Sequence, residues 1–183
     1  MKKIIIAACM MLVTAMSFAQ SGTNSPYSQF GLGLLNDQST GFNRAMSGLG
    51  YGFREHNQVD VKNPASYSAL DSLTFLLDAA VGLQVTNFNE NGKKKNAKNA
   101  DIEYAVAAFR VARHLGLSFG ILPYSNVGYS YSNTANVNAF QNTQGVNATY
   151  TNTYAGDGGV HEVFLGMGWE PIRHFSIGFN AGY

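Results

Sequence analysis

The sequence predicts an all-β chain, an antiparallel transmembrane barrel of the bacterial outer membrane preceded by a small plug. Three observations carry that expectation. An export leader opens the chain. Charged residues are only 13% of it, against roughly 25% in ordinary soluble domains. Apolar residues then alternate with small or polar ones in five later segments. Aromatics at 13%, twenty glycines and a mean hydropathy of −0.09 fit the same picture. In a barrel strand the lipid-facing and lumen-facing residues average out.

The leader occupies residues 1–19. Lys2 and Lys3 give a positive start, Ile4 to Met16 an apolar core, and Ser17-Phe18-Ala19 a small-residue cleavage site before Gln20. The apolar run is shorter than the about 20 residues of a membrane helix. Ile6-Ala7-Ala8-Cys9 loosely resembles a lipoprotein box, but the apolar stretch before it is too short to work as a signal. Cleavage removes Cys9, the only cysteine, so the mature chain has no disulfide or thiol chemistry. Loss of Lys2 and Lys3 takes the formal charge from +1 to −1. A near-neutral chain offers nucleic acid no electrostatic footprint.

Residues 20–72 form the expected plug, or hatch. Gly31, Gly33, Gly41, Gly48, Gly50 and Gly52 recur there with scattered charges, and no strand period is long enough to cross a bilayer. Near its end, Asn63 before Pro64 reads as a cap and first residue of a short turn running to about Leu70.

Residues 73–183 carry the strands. In Leu73 to Phe88 one face reads Phe75, Leu77, Ala79, Val81, Leu83 and Val85, while Asp78 and Gln84 lie on the other. In Asp101 to Val111, Ile102, Tyr104, Val106 and Ala108 share a face, with Arg110 at its end placed to reach an interface. The third segment, Leu115 to Tyr131, begins with Leu115, Leu117, Phe119 and Ile121 against Gly116, Ser118 and Gly120. The fourth sets Val163, Leu165, Met167 and Trp169 against Phe164, Gly166 and Gly168. The fifth sets Phe175, Ile177, Phe179 and Ala181 against Ser176, Gly178 and Asn180.

The connections alternate in length. Asn89 to Asn99 reads as a polar loop, Arg113-His114 as a tight turn, Ser132 to about Gly158 as a long loop, and Glu170 to Arg173 as a turn. That is the pattern of external loops and periplasmic turns. It places Lys93, Lys94, Lys95 and Lys98 outside the cell as a solvated loop.

Motifs that could carry chemistry do not fit their contexts. Gly116-Leu117-Ser118-Phe119-Gly120 matches the hydrolase G-x-S-x-G pattern, but Ser118 sits inside a strand period with no helix after it. His161-Glu162 lacks the second histidine of a zinc-protease helix, and His56, His114, His161 and His174 show no ligand spacing. The G-x-G pairs near Gly31 and Gly48 follow no strand. Asn147-Ala148-Thr149 reads as an exposed loop. The expectation is therefore a non-enzyme without catalytic residues, metal or cofactor. Leu122-Pro123-Tyr124 is more informative. Proline removes a ladder donor, so a bulge or kink is expected in the third strand, and with it a gap in the wall.

The order Gly41-Phe42-Asn43-Arg44-Ala45-Met46-Ser47-Gly48, then Asn63-Pro64-Ala65, then Asp71 and a long first strand resembles the FadL family of long-chain fatty acid transporters. The resemblance covers the chain from about Gly41 onward. It implies a fourteen-strand barrel with an N-terminal hatch, in which Arg44, Ser47, Asn63, Pro64 and Ala65 form the hatch motif. It further implies uptake of a hydrophobic small molecule, binding in the lumen, and lateral release at Leu122, Pro123 and Tyr124 beside outer-membrane lipid. Related barrels serve protein secretion or surface assembly, with secretion-system partners, and a small structural barrel is the remaining alternative. The N-terminus QSGTNSPYSQFGLGLL lacks the segment that reaches the pocket in fatty acid members. About five strands are too few to close a barrel, so the chain is expected to be the N-terminal part of a longer protein.

Overall fold

In the computed structural model, residues 22–90, 92–136 and 149–183 are described. The leader expected at 1–19, with Cys9, lies outside them, as does Asn147. The fold is all-β. Strands β1 (Leu34–Leu35), β2 (Phe75–Glu90), β3 (Lys93–Ala112), β4 (Leu115–Asn136), β5 (Thr149–Ile172) and β6 (Phe175–Gly182) form one antiparallel sheet. β2 to β6 pair in chain order, and β1 joins β4 off that path. Short helices at Pro26–Gln29, Gly41–Ala45 (α1) and Pro64–Ala69 lie in the N-terminal segment. No helix among the described residues is long and apolar enough to cross a membrane.

The strand periods sort residues onto two faces. Cross-strand partners share a face, so the pairs Leu77–Ala107, Val81–Ile102, Leu117–Met167 and Trp169–Ile177 mark the outer one. It is apolar and exposed along its length, from Phe75 and Leu83 on β2 to Phe179 on β6. Phe75, Phe109 and Phe119 form an aromatic row across it, with centroids 6.3 and 6.4 Å apart.

The inner face is covered by residues 22–72. Val59, Val61, Tyr67 and Leu70 of that segment pack on Tyr104, Val106, Ala108, Leu122 and Phe164. Complete burial of a side chain the size of Leu70 contributes about 1.5–3 kcal/mol. This is where the core sits.

Three expectations need correction. The second strand does not keep one apolar face from Ile102 to Ala108. The register shifts between Ala80 and Val81, which pair with Tyr104 and Ile102 and leave Glu103 without a partner. That bulge turns Ile102 outward while Tyr104, Val106 and Ala108 stay inward. Arg110 consequently meets the N-terminal segment, donating to the Leu70 carbonyl and Ser72 Oγ, both at 3.2 Å. The polar loop at 89–99 is mostly ladder, since Glu90 already pairs with Lys93 and Gly92 turns the chain at φ +79°. The long loop after Ser132 shrinks likewise, with β4 and β5 paired out to Asn136 and Thr149. Cross-strand pairing overrides the weak strand preference of Asn and Lys, so polarity alone misplaced these strand ends.

Candidate functional site

The site is the contact between the N-terminal segment and the inner face, and it is built on glycine. Gly116, Gly168 and Gly178 are consecutive cross-strand partners on β4, β5 and β6. They form a side-chain-free floor for the Pro64–Ala69 helix. A Cβ at Gly116 would fall on the Tyr67 carbonyl, one at Gly168 on the Pro64 carbonyl, and one at Gly178 on the Pro64–Ala65 peptide. Backbone can approach this closely only where Cβ is absent.

The next row of partners, Ser118, Gly166 and Asn180, receives the Tyr67 ring. Tyr67 is fully buried. Its hydroxyl donates to Asn180 Oδ1 at 3.2 Å, and Asn180 Nδ2 donates to the Val61 carbonyl at 2.8 Å. Burial pushes the Tyr67 hydroxyl up to about 12, so it is a fixed donor at neutral pH. Ser118 is also buried and donates to the Ala107 carbonyl at 3.0 Å, an ordinary satisfied core hydroxyl.

Each expected hatch residue has a place here. Pro64 stands at the first helical position, and Asn63 precedes it, as the sequence suggests. Asn63 does not cap with its side chain, however. Its Nδ2 donates to the Phe53 carbonyl at 2.7 Å, while its own carbonyl accepts from Ser66 N–H at 2.9 Å. Ala65 lies on Gly178. Arg44, in the last turn of α1, donates to the carbonyls of Ser39 (3.0 Å) and Asp37 (3.2 Å) and pairs with Glu103 of β3 at 2.9 Å. It also lies over the Tyr104 ring, 5.7 Å from the centroid. Ser47 is exposed at φ +60° and ends the helix turn. These residues therefore hold the segment at separate points and do not converge on a ligand.

Two carboxylates of the segment differ in environment. Burial pushes the Asp60 carboxyl above its usual range, although Asn43 Nδ2 (2.8 Å) and the Lys62 N–H (3.1 Å) donate to Oδ1. Its Oδ2 is buried without a hydrogen-bond partner. Asp37 also feels some burial, but Lys62 Nζ at 2.6 Å and Ser39 Oγ at 2.7 Å outweigh it and hold the carboxyl below its usual range. Among the described residues, no three His, Cys, Asp or Glu side chains gather as a metal site would require.

At Leu122-Pro123-Tyr124 the β4–β5 register passes from Pro123–His161 to Ser125–Val160, and Tyr124 is the extra residue. Leu122 and Pro123 are buried and Tyr124 is exposed. On its other side β4 pairs with β3 only from Leu115 to Ile121. Beyond that point β2–β3 and β4–β5 diverge as two ribbons. In the fork, Leu34 and Leu35 pair antiparallel with Asn126 and Ser125.

The sequence reading named the hatch motif but missed the floor beneath it. Tyr67, Asn180, Asp60 and Leu34–Leu35 carried no motif. The glycines did carry a signal, since Gly116, Gly168 and Gly178 each hold an inward position near a tight turn, after it on β4 and β6 and before it on β5.

A family model described as BamG matches residues 1–183. No curated protein and no solved structure matches the chain. The family match overturns the FadL resemblance. With it go the fatty acid and porin-like transport reading, the hydrophobic ligand and the lateral release at Leu122, Pro123 and Tyr124. The residues that carried the resemblance are those that seat a segment on a sheet, a packing task with no bearing on what is carried. The family is associated with the bacterial outer-membrane assembly machinery. The outer membrane or envelope is accordingly the chain's location, and the expected secretion-type partners become components of that machinery.

Proposed function

The chain belongs to the BamG family, and from that premise we propose that it takes part in assembling outer-membrane proteins as a non-enzymatic component of the assembly machinery. The observation that carries this reading is the family match along the entire chain. The fold supports it. An exposed apolar outer face suits strands set in lipid. The inner face is filled by the chain's own N-terminal segment, which suits a scaffold better than a conduit. The inward hydroxyls of Tyr67 and Ser118 are committed to hydrogen bonds within the fold.

Depletion of the protein in its native cell tests the proposal. Steady-state levels of several outer-membrane barrels should fall severalfold while periplasmic stress rises, and the tagged protein should co-purify with assembly components. Unchanged barrel levels on depletion, with no assembly component recovered, would overturn it.

A further inference from the structure

The fork between β3 and β4 is an unusual place for a sheet to stop pairing. β3–β4 pairs end at Ala105–Ile121, yet β3 continues to Lys93 along β2, and β4 continues to Asn136 along β5. Among the described residues, each strand thus turns an edge of more than ten residues into the fork. Such an edge is a template for another strand.

The chain covers the β4 edge with a minimal substitute. Among the described residues, only Leu34 and Leu35 pair with it as strand. Asn36 N–H donates to the Tyr124 carbonyl at 2.9 Å, which satisfies the bulged residue. Further along, side chains take the place of a backbone ladder. Ser28 Oγ accepts from Gly128 N–H at 3.0 Å, and Tyr131 Oη donates to Gln29 Oε1 at 2.7 Å. Gly33, at φ +91°, lets the segment close on β4, for a Cβ there would lie 2.7 Å from the Asn126 carbonyl oxygen. Tyr27, Phe30, Leu32 and Leu35 are all more than half exposed. Behind it, a cavity of about 260 Å³ is lined by Gly22, Asn36, Asn99, Asp101 and Asn126.

We propose that this fork is a strand-acceptor site. An unpaired, extended strand of a client outer-membrane protein displaces Tyr27–Asn36 and pairs antiparallel with β4 from Tyr124 to Tyr131. The resident strand fixes the direction of pairing, and main-chain hydrogen bonds supply the affinity, as in other strand additions. The client's identity rests on the assembly role proposed above; the acceptor edge rests on the register alone. Pro123, which has no N–H to donate, marks the lower limit of the site.

The test uses the full chain in detergent micelles and a benzophenone-bearing peptide with the alternating sequence FLLDAAVGLQ (residues 75–84). Leu35→Cys with Ser125→Cys joins two register partners, a spacing within disulfide reach. Photo-cross-links should map to residues 124–131 in the reduced protein, fall at least tenfold on oxidation, and return with reductant. A peptide with proline at its centre should not cross-link, because it cannot complete a ladder. Equal cross-linking in the oxidised and reduced forms would overturn the proposal. Gly33→Ala provides a second measure should the cysteine pair fail to fold. Its Cβ evicts the resident strand, so capture should rise severalfold, and unchanged capture counts against the site. Barrel loss on depletion without peptide capture would sink the acceptor site and leave the assembly role standing. Peptide capture without barrel loss would do the reverse.

Discussion

Tyr67 and Asn180 stand 113 residues apart in sequence, and their side chains meet over a row of residues that carry almost no side chain. The tyrosine hydroxyl donates to the amide oxygen, and the amide nitrogen returns to the Val61 carbonyl. One hydrogen-bonded path thus joins the N-terminal segment to β6. Tyr67→Phe keeps the ring on Gly166 but leaves Asn180 Oδ1 short of a donor, so a loss of about 1–2 kcal/mol is expected. Tyr67→Ala also empties the core position and should cost about 3–5 kcal/mol. Urea unfolding of the detergent-solubilised protein distinguishes the two, and equal effects would contradict the part assigned to the hydroxyl.

Gly168→Ala tests the floor itself. Its Cβ would fall on the Pro64 carbonyl, a backbone atom that cannot rotate away. Overpacking of this kind costs about 1–3 kcal/mol where the surroundings give, and lifts the helix off the sheet where they do not. Limited proteolysis should then cut the chain between Val59 and Leu70, a stretch buried or half-buried in the parent. Gly52→Ala, where no atom lies within 4 Å, is the matched control and should leave the protease pattern unchanged.

The strands could be read from the sequence because their physics is local. Alternation in Phe75–Val85, Val163–Trp169 and Phe175–Ala181 specifies a face without knowledge of any neighbour. The floor could not be read in the same way. Gly116, Gly168 and Gly178 acquire meaning only when register sets them side by side, and register depends on pairs far apart in the chain. The bulge at Glu103 was hidden for a related reason: a single extra residue leaves the apolar period nearly intact while it exchanges the faces. The hatch motif misled in the opposite direction. Arg44 and Asn63-Pro64-Ala65 are legible, but what they record is how a segment is seated, and different functions share that need.

Arg44 should not tolerate replacement by lysine. Its guanidinium donates to two carbonyls and pairs with Glu103 at once, a planar arrangement that a single ammonium cannot reproduce. Glu103 Oε2 is itself buried, so weakening its partner leaves a poorly paired acid. Arg44→Lys is expected to lower stability by about 1 kcal/mol, since the pair is partly exposed, and Arg44→Ala by more. The double variant Arg44→Ala with Glu103→Gln should recover part of the loss. A thermodynamic cycle showing strict additivity would remove the coupling between α1 and β3.

Asp37 and Asp60 predict a pH profile with two opposing limbs. Burial raises the folded Asp60 carboxyl above its ordinary value of 3.8, so the folded state binds the proton first. The cost of its buried charge is present near neutrality and is relieved as the pH falls through that raised folded value. Asp37 behaves oppositely. Although some burial works against it, Lys62 and Ser39 hold its folded value below 3.8. Its contribution is present above the unfolded value and is lost as the pH falls through the lower folded one. Stability should therefore rise slightly on mild acidification and then decline below about pH 4, near the ordinary carboxylate value. Asp60→Asn keeps an acceptor for Asn43 and Lys62 while it removes the charge, so it should be neutral or stabilising at pH 7 and should abolish the rise. Lys62→Met should steal the acid-side decline instead by releasing Asp37. If the Asp60→Asn profile overlays that of the parent, the buried carboxylate is not the source of the acid-side gain.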